Sequence, residues 1–273
     1  MGTSRIDGVQ VISLDSTASG FAGQVALVTG AGSGIGLATC RAFAEAGADT
    51  YGLVQTDGDI PSSHVSGTGA VNWLIGDVRD RDAIDRAFST VRKHHGKLDV
   101  LVSNAGVARH GRIPDLAVED IELMISTNLA GFFNVMALGI PMLRAGGGGA
   151  VVAVSSVHAI ATSPLASVYA ATKAGIVAAV RSAALDHAPD RIRVNAVLPG
   201  SVDTPMLRAS AARRFPDDPE RAIREWGAIH PIGRVLTAEE VASSILFLAG
   251  PAASGITGSV LAVDGGLLAR LAL

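Results

Sequence analysis

Tyr169 and Lys173 stand four residues apart in an alanine-rich run with no helix breaker after Pro164, so a helix there projects both side chains from one face. A phenol near its ordinary pKa of about 10 exchanges protons poorly at neutral pH. A neighbouring ammonium favours the phenolate and draws that pKa toward the working range, which makes the pair an acid/base device. Ser156 lies thirteen residues before Tyr169, at the end of the apolar run 150–155, which reads as a buried strand. A hydroxyl at the carboxyl end of a strand, facing the helix that bears the phenol, is placed to hold a carbonyl oxygen while the tyrosine moves a proton. That is the layout of a carbonyl/alcohol site. Tyr-x-x-x-Lys alone also suits any amphipathic helix, so the reading depends on the elements around it.

Those elements alternate. Residues 24–29 read as a buried strand, followed at once by Gly30-Ala-Gly-Ser-Gly-Ile-Gly36 and a helical run over 37–46. Small residues let the backbone turn tightly and approach a pyrophosphate, whose charge sits at the amino end of the helix. The spacing is Gly30-x-x-x-Gly34-x-Gly36 rather than the generic G-x-G-x-x-G, and strand, loop and helix together predict a nucleotide cradle. Further strands are expected at 50–54, 71–76, 98–103, 150–155, 191–198 and 260–263, and helices at 79–95, 118–143, 164–187 and 238–250. This pattern predicts an α/β, Rossmann-like, doubly wound parallel sheet of about seven strands with helices on both faces.

Residues 24–273 form one dinucleotide-binding and catalytic domain in this reading, with no linker or repeat inside it. Residues 1–23, rich in Ser, Thr and Gly, are expected to be a mobile or surface-docked leader, with 9–14 alternating as a strand or an ordered arm would. Gly146–Gly149 reads as a helix terminus and turn. The stretch 208–226 breaks the alternation, with two prolines, Phe215 and Trp226, and is expected to be either a substrate lid, spanning about 201–229, or a plain surface excursion.

With 273 residues, 48% of them hydrophobic, the chain is long and apolar enough to build a sizeable core. Its 22 Lys and Arg nearly balance 25 Asp and Glu, and no long basic run occurs, which argues against nucleic acid or an anionic membrane as partner. The single cysteine, Cys40, excludes an intramolecular disulfide and a multi-cysteine metal site, and no metal is expected; inside a predicted helix it reads as core filler. No basic segment followed by a signal-length apolar stretch begins the chain, and no uninterrupted apolar run approaches a membrane span, so a cytoplasmic location is expected.

Taken in order, Thr29-Gly-Ala-Gly-Ser-Gly-Ile-Gly36, Asn104-Ala-Gly106 and Tyr169-x-x-x-Lys173 resemble the cofactor loop, central motif and catalytic pair of the short-chain dehydrogenase/reductase family, from about residue 23 to 266. The resemblance implies that Ser156 bonds the substrate oxygen, that Tyr169 is the general acid/base, and that Lys173 tunes Tyr169 and binds the nicotinamide ribose. Asn128 matches the fourth catalytic position, linking the lysine to solvent through a water; read by itself it is a helix-kinking polar residue. The implied cofactor contacts are Gly30, Ser33, Gly34, Ile35 and Gly36 in the loop, Asp77 and Val78 at the adenine, and Asn104, Ala105 and Gly106. Tyr169 and Lys173 join them, with Pro199, Gly200, Val202 and Thr204 in the segment that positions the nicotinamide amide. Within that set Asn104 mostly stabilises the sheet and Gly106 leaves room.

One position departs from the family pattern. The usual acidic residue that grips the adenosine ribose falls at or beside Val54, and Asp57 comes three residues too late. No Lys or Arg occurs between Arg41 and Arg79, whereas a 2'-phosphate is normally met by one, so NAD is expected in preference to NADP, with Gln55 or Asp57 at the ribose. Substrate contacts are expected from Ser156, His158, Tyr169 and Met206, with His110, Phe215 and Trp226 as further wall residues of a mainly apolar pocket. His158 also suits a neutral histidine bonded to local backbone, and His94-His95 a solvated helix end. The expected function is hydride transfer between NAD(H) and a small-molecule secondary alcohol or ketone. The alternatives are an NADPH-dependent 3-oxoacyl carrier-protein reductase and a non-catalytic nucleotide sensor. The family implies a homotetramer or homodimer through its two longest helices and C-terminal segment.

Overall fold

The computed structural model describes residues 3–6, 9–12, 20–61 and 70–270. Strands β1 (Thr3–Ile6) and β2 (Val9–Ile12) pair antiparallel with each other, and the rest of the expected leader up to residue 19 lies outside the described residues. The main sheet comprises β3 (Val25–Thr29), β4 (Asp49–Val54), β5 (Val71–Ile75), β6 (Val100–Ser103), β7 (Gly149–Val154), β8 (Ile192–Pro199) and β9 (Val260–Val263). Its spatial order is β5-β4-β3-β6-β7-β8-β9, every neighbouring pair parallel. The central strands β3 and β6 are buried throughout, as their unbroken apolar runs require of a sheet covered on both faces. Between them the winding reverses, and at that point the carboxyl ends of strands open a crevice for a ligand.

The helices are α1 (Gly34–Glu45), α2 (Arg81–His95), α3 (Val118–Met124), α4 (Gly131–Ala145), α5 (Ser167–His187), α6 (Pro205–Arg214), α7 (Pro219–Ile229) and α8 (Ala238–Ala249). One face of the sheet packs against α1 and α8 through Ala38, Cys40, Phe43, Val241, Ile245 and Leu248. The opposite face packs against α2, α4 and α5 through Ile84, Phe88, Phe132, Val135, Ile176 and Val180. Cys40 is fully buried and its thiol pKa is pushed up by that burial, consistent with a filler role. Residues 201–229 fold as α6 and α7.

Three expected boundaries move for local reasons. Asp80 accepts hydrogen bonds from the Asp82 and Ala83 amides at 3.0 Å, so it caps α2 and the helix starts at 81, not 79. Leu165 adopts φ +69°, which the α-helix does not tolerate, so α5 begins after it rather than at Pro164. The helix expected over 118–143 is interrupted by a π-helical turn, Ile125–Ala130, between α3 and α4. A fourth correction concerns hydropathy: Val118–Ala145 and Ser167–Asp190 are each long and apolar enough to cross a membrane by length and composition. Here both lie against the sheet, and their apolar faces join its core.

Candidate active site

Ser156 lies two residues past the end of β7; its Oγ accepts from the His158 amide at 3.2 Å, and its hydroxyl favours the ionised form of the Tyr169 phenol. The preceding hydroxyl, Ser155 Oγ, donates to the Lys173 carbonyl at 2.8 Å and so fastens the end of β7 to the middle of α5. Lys173 is 4% exposed, its Nζ donating to the Val154 carbonyl at 2.9 Å and standing 5.7 Å from the Tyr169 ring centroid. The helical spacing thus brings the pair onto one face as expected, but the electrostatics differ from expectation. Burial raises the Tyr169 pKa, and the opposing effect comes from the Ser156 hydrogen bond, not from Lys173. Burial also lowers the Lys173 amine to about 8, so an ammonium there is itself costly.

Asn128 sits in the π-helical turn, and that local widening turns its amide inward. Its Oδ1 accepts from the Val107 amide at 2.8 Å, and its Nδ2 donates to the Val107 carbonyl at 2.9 Å and to Thr172 Oγ1 at 3.1 Å. Thr172 in turn donates to the Tyr169 carbonyl at 2.7 Å. Asn128 therefore ties the loop after Gly106 to the helix of the Tyr/Lys pair. A Cβ added at Gly106 would meet Asn128 Oδ1 at 3.3 Å and Lys173 Nζ at 3.4 Å, so this glycine keeps the floor of the site open.

The glycine loop lies between β3 and α1. Gly30 has φ +63° and its Cα faces the main chain of Ala105, which a Cβ would approach to 2.7 Å; a Cβ on Gly36 would strike the Gly30 carbonyl and the Asn104 amide. Asn104 is spent on the sheet: Nδ2 donates to the Thr29 and Gly30 carbonyls, both at 3.0 Å, and Thr29 Oγ1 accepts from the Asn104 and Ala105 amides, both at 3.1 Å. Ser33 caps α1 without using its hydroxyl, and Ile35 is half-buried behind it. Across the loop, a Cβ on Gly34 would touch Thr204 Cγ2 at 2.9 Å, so the segment from Pro199 to Thr204 overhangs the cradle. That segment is held by Gly200 N–H to the Val263 carbonyl at 3.0 Å, by Val202 bridged to Leu236, and by Thr204 capping α6. A helix N-terminus, a glycine turn that admits no side chain and an unused hydroxyl fit a dinucleotide pyrophosphate.

At the far end of the crevice Gln55 Nε2 donates to Asp77 Oδ2 at 3.0 Å, and Arg79 folds back to bond both Asp77 oxygens, the shortest contact at 2.6 Å. The Arg79 hydrogen bonds hold the Asp77 carboxyl below its ordinary pKa. Gln55 and Asp77, expected at the ribose and the adenine, thus meet each other, and Arg79 joins them. Val78 faces the core with its Cγ2 against Gly131, so its side chain is not a ligand contact. Asp57 opens a short 3-10 turn, Asp57–Asp59, whose last carbonyl lies 2.5 Å from where a Gly32 Cβ would be.

Around the mouth, the His158 ring stands edge-to-face on Tyr169 with centroids 5.6 Å apart. Met206 is 42% exposed on α6. Phe215 and Trp226, expected in the pocket wall, stack with arginines of α6 and α7: Arg221 lies 4.4 Å and Arg214 5.3 Å from the Phe215 ring, and Arg214 lies 5.9 Å from Trp226.

A family model described as Enoyl-(Acyl carrier protein) reductase matches residues 30–268. The chain belongs to the short-chain dehydrogenase/reductase family. It is 38% identical over 254 residues to the 3-oxoacyl-[acyl-carrier-protein] reductase FabG of Thermotoga maritima, covering 90% of this chain and 98% of that protein. It is 39% identical over 252 residues to the cis-4-hydroxycyclohexanecarboxylate dehydrogenase of Sinomonas cyclohexanicum, covering 91% and 98% respectively. The crystal structure of L-sorbose reductase from Gluconobacter frateurii, complexed with NADPH and L-sorbose, superposes with a TM-score of 0.87 at 29% identity, covering 93% of this chain and all of that one. As a short-chain dehydrogenase/reductase with this sheet and these relatives, the protein is an NAD(P)-dependent oxidoreductase acting on CH–OH groups.

Several residues of this dehydrogenase escaped the sequence reading. Arg79 was visible only as the far limit of a region without cations, although its place two residues after Asp77 permits the folded-back ion pair. Thr29 opens the glycine motif and Thr172 lies inside Tyr169-x-x-x-Lys173, yet neither position by itself announces its hydrogen bonds. His230 is 1% exposed, accepts from the Ser201 amide at Nε2 (3.1 Å) and donates from Nδ1 to the Trp226 carbonyl (2.7 Å), linking α7 to the 199–204 segment. No residue spacing announces that bond.

Proposed function

We propose that the protein interconverts a small-molecule secondary alcohol and its ketone with NAD(H), Tyr169 serving as the general acid/base. The observation that carries the reading is the convergence of Ser156, Tyr169 and Lys173 just past the carboxyl end of β7, with the buried Lys173 amine 5.7 Å from the phenol ring centroid and Ser156 favouring the phenolate. Bound nicotinamide dinucleotide would supply the hydride acceptor or donor. The glycine loop residues Gly30, Ser33, Gly34, Ile35 and Gly36 would hold its pyrophosphate, Gln55 or Asp57 its ribose, and the main chain around Asp77 and Val78 its adenine. Ala105, Gly106, Lys173, Pro199, Gly200, Val202 and Thr204 would line the remainder. Ser156 orients the reacting oxygen, and Tyr169 takes its proton in oxidation and returns it in reduction. Asn128 fixes the Tyr/Lys helix against the loop after Gly106.

The preference for NAD rests on the neutral Gln55 after β4 and on Arg79 being neutralised by Asp77. FabG similarity supports a second reading, NADPH-dependent reduction of a 3-oxoacyl thioester, and activity on such a thioester separates the two. The hydroxycyclohexanecarboxylate relative puts alicyclic secondary alcohols first among candidates for oxidation. A second copy of the chain would cover Ile125, Phe133 and Leu185, exposed on the two long helical stretches, in a homodimer or homotetramer. For the chemistry, Tyr169→Phe is expected to lower kcat by about 1,000-fold while dinucleotide binding persists. A variant that keeps near wild-type kcat would remove Tyr169 from the proton-transfer role.

A further inference from the structure

We propose, building on the alcohol/ketone reading above, that the mouth over Tyr169 receives a substrate bearing a carboxylate, held by His158, His110 and Arg213. His158 borders the reacting position, with its ring edge-to-face on Tyr169 at 5.6 Å. Its Nδ1 is committed to Thr162 Oγ1 at 2.8 Å, and among the described residues no group is bonded to Nε2. The His110 loop is brought against the approach to α5 by the Gly111 amide, which donates to the Leu165 carbonyl at 2.9 Å. Arg213 stands at the end of α6, close enough for its charge to reach His110.

The charges around this mouth are unbalanced in one direction. Arg208 is paired with Asp203 and Glu220, Arg214 and Arg221 with Glu225, and Arg224 with Asp218. Arg109, on the His110 loop, is paired with Asp120. Arg213 differs, its side chain donating to Ser210 Oγ at 3.0 Å and reaching no carboxylate among the described residues. No carboxylate among those residues pairs with His110 or His158 either. Burial first, then a positive neighbour, lowers both imidazole pKa values: His110 acts on His158, and Arg213 on His110. Three groups that can donate to an anion therefore share one electrostatic neighbourhood with no acid to satisfy them. A neutral alcohol gains nothing from that imbalance, whereas a carboxylate accepts charge-assisted bonds from the guanidinium and N–H bonds from the imidazoles.

The test compares 4-hydroxycyclohexanecarboxylate with the neutral 4-hydroxycyclohexanecarboxamide in NAD-linked oxidation by wild type, Arg213→Gln and Arg213→Lys. In wild type the carboxylate is expected to be preferred, mainly through KM; Arg213→Gln lowers the kcat/KM ratio of acid over amide about tenfold, and Arg213→Lys restores part of it. A second readout needs no turnover: non-reacting cyclohexanecarboxylate should shift the ring resonances of His110 and His158 in the cofactor-free protein, and cyclohexanecarboxamide should not. Equal use of acid and amide, with both histidines unmoved, overturns the carboxylate site and leaves the oxidoreductase reading intact. Shifted histidines without oxidation of either alcohol keep the anion site and count against the alcohol reading.

Discussion

Replacing Lys173 with methionine is expected to abolish the chemistry while making the cofactor-free protein more stable. The side chain is 4% exposed, and burial pulls its amine from 10.5 to about 8. Below pH 8 the folded protein holds an ammonium that the interior disfavours, at a cost of roughly 3 kcal/mol for a depression of this size. Methionine of similar length fills the space without the charge. It also removes the 2.9 Å hydrogen bond to the Val154 carbonyl, a loss of about 1 kcal/mol, which leaves a net gain of about 2 kcal/mol. For a chain of this size that corresponds to a rise in Tm of roughly 4–8 °C.

The sign of the pH dependence follows from a folded pKa below the unfolded one. Between about 8 and 10.5 the unfolded chain binds more protons at this position, so wild-type stability rises with pH and the advantage of the variant disappears across that window. Thermal melts of both proteins without cofactor, at pH 7 and pH 10.5, check the prediction, alongside an oxidation assay expected to show at least a hundredfold loss. A methionine variant that melts below wild type at pH 7 would refute the reasoning, because the amine would then be a net stabiliser in its buried position.

Wild type is expected to bind NADH more tightly than NADPH, and Gln55→Arg to shift that ratio toward NADPH about tenfold in a fluorescence titration; an unchanged ratio would remove Gln55 from the ribose end. Arg193 bonds the Leu248, Ala249 and Gly250 carbonyls at 2.6, 2.9 and 3.1 Å, closing the C-terminus of α8. Arg193→Leu is expected to cost about 2 kcal/mol, a fall in Tm of roughly 4–8 °C in a thermal melt, with dinucleotide affinity preserved.

The sheet, its seven strands and the glycine cradle were legible because each rests on a local signal: an unbroken apolar run, or glycines where no Cβ fits. Pairing Tyr169 with Lys173 needed only the pitch of a helix. The errors fall where a contact joins distant stretches or where one residue leaves its expected backbone region. Leu165 with φ +69° cannot be read from Pro164-Leu-Ala166, and the π-helical turn around Asn128 depends on bonds to Val107 and Thr172 that lie 21 and 44 residues away. Phe215 and Trp226 look like pocket walls by type, yet arginines of α6 and α7 stack against them.

Residue spacing decided which ionisable groups meet, whereas burial decided the protonation state in which they meet. From the sequence, an ammonium beside a phenol acts in one direction, toward the phenolate. In the folded chain Lys173 is buried and Tyr169 half-buried, and desolvation penalises each charged form, raising the tyrosine and lowering the lysine. Their proton affinities therefore move apart and change order: the amine, ordinarily the slightly stronger base, falls to about 8 while the phenol rises above its ordinary value. What then biases the phenol toward giving up its proton is the bond from Ser156, the nearest group that favours the phenolate. Ser156 thus acts on the acid/base as well as on the substrate oxygen, and a change there reaches the pH dependence of the reaction and not only substrate affinity.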